Sequence, residues 1–242
     1  MWIRLLRRIG GVNKVKSSFP INGKCALVDA GRISYATGLS LQRQARDLVE
    51  GAKYDGIIIL LEHEPVITVG RGGGQENLLV EECDLNANGV ELFKSNRGGN
   101  ITGHNPGQLV VYPILNLKKW KQDIHWYVRT LEEVIIRVLA HFQLIASRKS
   151  DHTGIWINDA KVAAIGVFVS HWITSHGLAL NVNNDLGIFK SMVPCGIRCF
   201  GVTNLTEVGI QVEMKEVKSL FVREFKKLFK SGYLLKKSNL FV

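Results

Sequence analysis

Apolar residues recur along this chain with two different periods. From Ser34 and Tyr35 onward, Leu39, Leu41, Ala45, Leu48 and Val49 fall on one helical face, with Arg43, Arg46 and Asp47 outward and Gly51 as the stop. Asp123 caps a second helix, in which Ile124, Tyr127, Leu131, Val134, Ile135, Val138, Leu139 and Phe142 repeat at three and four residues. A third helix covers residues 214–229. Its apolar face is Val217, Leu220, Phe221, Phe225, Leu228 and Phe229, and Lys215, Lys218, Arg223, Lys226 and Lys227 lie mostly opposite. Between the helices the pattern changes to short continuous apolar runs at 25–28, 57–61, 66–69, 110–115, 155–157, 161–169 and 178–182. These read as strands, and 57–61 reads as one buried on both faces.

The punctuation between runs refines this picture. Glu62-His63-Glu64-Pro65 breaks the 57–61 strand. Pro113 marks its own run as an edge or a bulge, because proline donates nothing to a ladder. Residues 155–157 and 161–169 form a hairpin through Asn158-Asp159-Ala160, which sets Lys161 at a strand start. Ser175-His176-Gly177 reads as a turn into the 178–182 run. The interleaving predicts one domain built on a mixed β-sheet. The expected organisation is a basic extension over 1–22 and one domain over 23–242, with a small C-terminal helical part from about 205.

Composition narrows the class. At 46% hydrophobic and 21% charged, the chain is globular. No apolar run approaches the ~20 residues of a membrane span, so stable membrane insertion is not expected. The net charge of +10 suggests nucleic acid until it is mapped. Residues 1–28 carry six basic residues and no acid, residues 213–242 carry eight basic and three acidic, and the middle has 17 basic against 18 acidic. A nucleic-acid surface would run through the folded body, so none is expected. The basic ends instead suit an acidic protein partner. The acid-free leader fits either a plain extension of a cytoplasmic protein or an organelle transit segment, mitochondrial or plastid. Cys25, Cys83, Cys195 and Cys199 are too scattered for a disulfide framework, which favours a reducing compartment. His171 and His176 match no metal-site spacing.

Three stretches carry candidate chemistry. In Pro194-Cys195-Gly196 the proline stiffens the approach and the glycine lets a ligand near the sulfur, so Cys195 is a candidate nucleophile. Its bland alternative is a small buried hydrophobe. A thiolate needs a nearby cation, and Lys161 offers one; its own alternative is a guard on a strand edge. The loop RGGNITGHNPGQ, residues 97–108, sets Arg97, Asn100, His104 and Gln108 among glycines that let backbone line a ligand closely. The Gly70-Arg71-Gly72-Gly73-Gly74 loop lacks a Lys-Ser/Thr partner and GxGxxG spacing, so it reads as a turn or a pocket wall rather than a phosphate cradle.

Taken in order, RGGNITGHNPGQLVVYP, TGIWINDAKVAAIG, SHGLALNV and VPCGI resemble the lipoyl(octanoyl) transferases, of the biotin/lipoate protein ligase fold superfamily. The resemblance spans about 28 to 205, and the fold it implies is α+β, a mixed β-sheet packed with helices. It implies transfer of an octanoyl group from octanoyl-acyl carrier protein to a lysine of lipoyl domains, those of 2-oxoacid dehydrogenase E2 subunits and of the glycine cleavage H protein. It implies Cys195 as the acyl-accepting nucleophile and Lys161 as its acid/base partner. It implies an acyl site lined by Arg97, Gly98, Gly99, Asn100, Ile101, Thr102, Gly103 and His104, by Ala164, Ile165 and Gly166, and by Gly177, Leu178 and Ala179. No metal and no cofactor is implied, and a monomer is expected. The chain departs from the family pattern at Gly103 and Asn105, where an aromatic residue and a glycine are usual. The rivals are an ATP-dependent lipoate or biotin ligase, an amidotransferase acting between lipoyl domains, and a basic non-catalytic binding module.

Overall fold

The computed structural model describes residues 14–20, 24–73, 75–193 and 200–230. The main sheet begins with β1 (Lys14–Pro20), in the stretch read as a basic leader. β1 pairs antiparallel with β2 (Lys24–Ile33), which pairs parallel with β3 (Gly56–His63). Between β2 and β3 runs α1 (Tyr35–Glu50). Ser34 Oγ accepts from Thr37 N–H at its start and Gly51 closes it, as the capping preferences predict. β3 then pairs with β7 (Gln108–Leu115), and β7 with β11 (Ile173–Asn181). The far half continues through β10 (Ala160–Ser170), β9 (His152–Ile157) and β8 (Ser147–Lys149), with β12 (Gly201–Val202) parallel to β10. A small second sheet holds β4 (Val66–Val69) between β5 (Glu91–Lys94) and β6 (Ile101–His104).

The main sheet separates two apolar layers. Ile57, Ile59 and Leu61 of β3 pack with Leu41, Ala45 and Val49 of α1, whereas Ile58 and Leu60 join the opposite core. That second core is built on α3 (Ile124–Ala140) and α4 (Met214–Lys230), through Leu131, Val134, Ile135 and Val138 and through Val217, Phe221, Phe225 and Phe229. A short helix α2 (Glu82–Ala87) sits beside the small sheet. Among the described residues, no helix is long and apolar enough to cross a membrane.

Several expectations are corrected. Strand β3 does not break at Glu62 but runs on to His63, which is fully buried. Ile124 lies 44% exposed, while Thr130 and Glu132 are buried in its place. Thr130 bonds the Trp126 carbonyl at 2.7 Å, and Glu132 bonds Arg129 and Arg148 at 2.7 and 3.0 Å. In α1 the buried stripe takes Gln42 rather than Leu39. Ser175-His176-Gly177 is not a turn; Val167–His176 and Gly166–Gly177 are cross-strand pairs, and the turn falls at His171 and Trp172, both at positive φ.

Pro113 is in neither an edge strand nor a bulge. It sits in β7 opposite Ile58, well inside the sheet. The β7–β11 ladder stops at the pair Val111–Leu178, so beyond it no ladder partner awaits the missing N–H. The Pro113 carbonyl is taken instead by the Thr174 hydroxyl at 2.6 Å and Tyr127 Oη at 3.2 Å. A proline costs nothing where the ladder has already ended.

Candidate active site

The loop 97–100 lies across the middle of β10. Gly98 N–H donates to the Val167 carbonyl at 2.9 Å. A Cβ on Gly166 would stand 2.8 Å from the Gly98 oxygen and 3.3 Å from Arg97 Cδ, and one on Gly98 would stand 3.1 Å from the Val167 oxygen. The contact is backbone on backbone, and glycine on both sides permits it. Arg97 is buried, and its guanidinium donates to Thr68 Oγ1, the Thr68 carbonyl and the Gly98 carbonyl. The loop at Gly70 grips the same segment from behind. Gly70 N–H donates to the Asn100 carbonyl at 3.0 Å, and Arg71 and Gly72 N–H donate to the Arg97 and Gly99 carbonyls at 2.9 Å each. Those N–H groups are spent, so they cradle no phosphate, and the loop buttresses the cleft wall without lining the cleft.

The cleft holds about 540 Å³ of empty space, part of it open to solvent. Arg97, Gly99, Asn100, Ile101, Thr102 and His104 line it from the small-sheet side. Ala164, Ile165 and Gly166 line it opposite, together with their direct cross-strand partners Ala179, Leu178 and Gly177. Lys161 lines it too. Lys161, Thr102, Ala164 and Ala179 also border a smaller hollow reaching Gln108, Asn181 and Phe189. Gly98 and Gly103 do not face the cleft. Gly98 faces the Val167 backbone of β10, and a Cβ on Gly103 would come 3.2 Å from three side-chain carbons of Ile188. Ile188 thus fills the space beside position 103, and Asn105 bonds the Asp185 carbonyl at 2.7 Å and Asn184 Nδ2 at 3.1 Å. Cys195 lies outside the described residues.

Sequence reasoning missed Tyr35, Tyr112 and His176 on the cleft wall, and His63 beneath it. Their hydrogen bonds fix the tautomers. Gln108 Nε2 donates to Asn181 Oδ1 at 2.8 Å, so Gln108 Oε1 accepts at 2.7 Å from Nδ1–H of His104. His63 Nδ1–H donates to the Ile33 carbonyl at 3.1 Å, leaving Nε2 to accept from Tyr112 Oη at 2.7 Å. His176 Nε2–H donates to Asn96 Oδ1 at 2.6 Å. Burial pushes the three imidazoles down to about 4 for His63, about 3 for His104 and about 4 for His176. Burial also raises the Tyr112 phenol well above its usual range. These groups are therefore neutral hydrogen-bonding walls at pH 7.

Acid lability follows. In the unfolded chain a histidine takes up its proton near ~6.5; in the fold these three resist to about 4, 3 and 4. Their contribution is complete above ~6.5 and is lost as pH falls toward 4, at up to about 1.4 kcal/mol per pH unit for each. Tm is expected to drop by roughly 10 °C between pH 7.5 and 5.5, and His104→Asn should flatten that slope. A Tm unchanged over this range contradicts the assignment.

Lys161 is 8% exposed, and its Nζ stands 4.8 Å from the centroid of the Trp156 ring. Trp156 is the cross-strand partner of Lys161, so the β9–β10 register stacks ammonium on indole. Gly154 lies beside the lysine stem, and its positive φ and a Cβ contact of 2.6 Å with the Ala163 carbonyl oxygen keep that position a glycine. Of the two cysteines described, Cys83 is exposed and Cys25 is buried. Burial, with Asp55 adding to it, pushes the Cys25 thiol up to about 12, so it is a core residue and not a thiolate.

The fold is shared with lipoate-protein ligases of known structure. The structure of lipoate-protein ligase A bound with ATP superimposes with a TM-score of 0.66 at 18% identity, covering 84% of this chain and 83% of that one. A bi-partite lipoate protein ligase from Thermoplasma acidophilum gives 0.63 at 19% identity, covering 81% and 82%. In sequence, the octanoyltransferase of Caldanaerobacter subterraneus subsp. tengcongensis is 46% identical over 199 residues, 82% of this chain and 87% of the relative. That of Solibacter usitatus is 46% identical over 206 residues, 85% and 93%. Residues 34–226 match the lipoyl protein ligase A/B catalytic domain, and the chain belongs to that family. Within it the chain is an acyltransferase that moves octanoyl groups for lipoate biosynthesis.

Proposed function

We propose that the octanoyl group arrives as a thioester on acyl carrier protein, passes to Cys195, and leaves as an amide on a lysine of a lipoyl domain. The acceptors are the lipoyl domains of 2-oxoacid dehydrogenase E2 subunits and of the glycine cleavage H protein. The observation that supports this reading most is the buried Lys161, set in a cleft bounded by the segment 97–104 and by the 164–166 and 177–179 strand pair.

The chemistry runs in two balanced steps. The Cys195 thiolate attacks the octanoyl carbonyl carbon, the carrier C–S bond breaks, and the carrier thiolate takes a proton as it leaves. The neutral amine of the acceptor lysine then attacks the enzyme thioester. A C–N bond forms, the Cys195 C–S bond breaks, and the amine's surplus proton passes to Lys161. A thiolate suits both steps because it attacks well and leaves well, and a lysine that gives and takes one proton serves both. Backbone N–H groups of the glycine-rich walls are of the kind that stabilise an oxyanion. An eight-carbon chain at ~0.8 kcal/mol per buried CH₂ contributes several kcal/mol, which the Ile165 and Leu178 walls suit.

Intact mass tests this. Mixing with octanoyl carrier protein should add one octanoyl group, labile to hydroxylamine, and Cys195→Ser should lose that thioester. A hydroxylamine-labile adduct that persists in Cys195→Ser refutes the nucleophile.

A further inference from the structure

A second cleft lies on the other side of the wall formed by His176 and Asn96. It holds about 1190 Å³, including space open to solvent. It is bounded by Gln42, Arg43 and Arg46 of α1, by Lys94, Ser95 and Asn96 after β5, and by Ser170, His171 and Ser175 of the β10–β11 hairpin. Among the described residues, no aspartate or glutamate lines it. Arg46 is committed to the Ser170 and Ile173 carbonyls at 2.9 and 3.3 Å. Arg43 and Lys94 are exposed and make no ion pair among the described residues.

Gln42 is the independent sign of a ligand. It is 4% exposed. Its Oε1 accepts from His176 N–H at 2.7 Å, which fixes the amide orientation and leaves Nε2 as the donor. That buried Nε2 has no partner. An unmet buried donor costs about 1–3 kcal/mol, and Gln42 shares this cleft with the exposed cations Arg43 and Lys94.

We propose that this cleft binds a phosphoester, and that it does so on the arm of the acyl donor. The inference rests on the carrier-borne donor proposed above. An acyl carrier presents its thioester on an arm attached through a phosphodiester, and the two clefts share His176 as a common wall. The arm's anionic end meets Arg43 and Lys94 while its thioester enters the acyl cleft. Guanidinium and ammonium groups both suit a phosphate.

Calorimetry of 4′-phosphopantetheine against pantetheine tests the site without turnover. The phosphorylated compound should bind about tenfold tighter, the worth of one charge-assisted hydrogen bond. Arg43→Gln combined with Lys94→Gln should remove that difference, and Lys94→Arg should keep it. Equal binding of the two compounds, or a preference that survives the double variant, overturns the proposal. Kinetics with octanoyl-pantetheine and octanoyl-4′-phosphopantetheine identify the source. A kcat/KM preference carried in KM, and lost in the double variant, places the phosphate on the donor. Phosphate-dependent binding with no phosphate preference in transfer overturns the donor-arm assignment and leaves a site for free phosphate. Failure of both donors, with phosphate-dependent binding intact, sinks the carrier-donor reading alone.

Discussion

Lys161→Ala should lower single-turnover octanoyl transfer by about 10³-fold, the middle of the range for a positioned acid/base group. Two roles are separable. As a cation, Lys161 lowers the pKa of a nearby thiol, so its loss returns the nucleophile toward ~8.5 and shifts the pH profile of iodoacetamide alkylation upward. As a base, it takes the proton released when the acceptor amine attacks. Arginine keeps the charge and does not give up a proton at working pH. Lys161→Arg should therefore still acylate the enzyme while failing to pass octanoyl on, and Lys161→Ala should fail at both steps. Trp156→Leu removes the indole beneath the ammonium, 4.8 Å from it, and should cost less than either. A Lys161→Ala enzyme with the wild-type alkylation profile and wild-type transfer would end the cysteine–lysine account.

Gly177→Ala should be the most damaging single methyl group in the cleft wall. A Cβ there would run into the Val111 carbonyl oxygen and stand 2.6 Å from Pro113 Cδ. Both are strand backbone or ring, so β11 must move away from β7 for the methyl to fit. Overpacking of this kind costs about 1–3 kcal/mol and sometimes more, which for a chain of this size is a Tm drop of roughly 4–10 °C. Transfer should suffer beyond the loss of stability, because Gly177 pairs with Gly166 under the loop 97–100. Gly201→Ala is the control: its Cβ would meet Ala160 Cβ at an ordinary 3.7 Å. Equal Tm values for the two variants would show that the strands are not held at this spacing.

The long helices and the central strands were legible because their physics is local, whereas β1, β5, β6, β8 and α2 were not read from the sequence. The Ser34 and Asp123 caps, the α4 stripe and the doubly buried β3 each follow from residues within one element. The segment 97–104, whose second half proves to be strand β6, and the 164–166 and 177–179 segments were legible as glycine-dense or small-residue backbone. What was missed depends on partners distant in sequence. Nothing near His63 announces that Tyr112 and Ile33 will take both its nitrogens. His176 reads as a turn residue because glycine follows it, yet its left-handed φ of 57° occurs inside a strand, with Gln42 receiving its N–H. Gln42 itself sits on a stripe where leucine is the expected occupant. Buried polar groups obey pairing rules rather than periodicity, so their meaning emerges only when the elements are assembled.

Pro113 and Gly177 are 64 positions apart, yet each supplies what the other lacks. The proline ring occupies the space where a ladder N–H would point, and the missing Cβ of Gly177 makes room for it. A bulkier residue at 177 is barred by the ring at 113 and, closer still, by the Val111 carbonyl oxygen. A residue with an N–H at 113 would bring a donor facing a strand that has already left the ladder. Loss of the ring alone therefore does not free position 177, and its glycine is the more tightly held of the two.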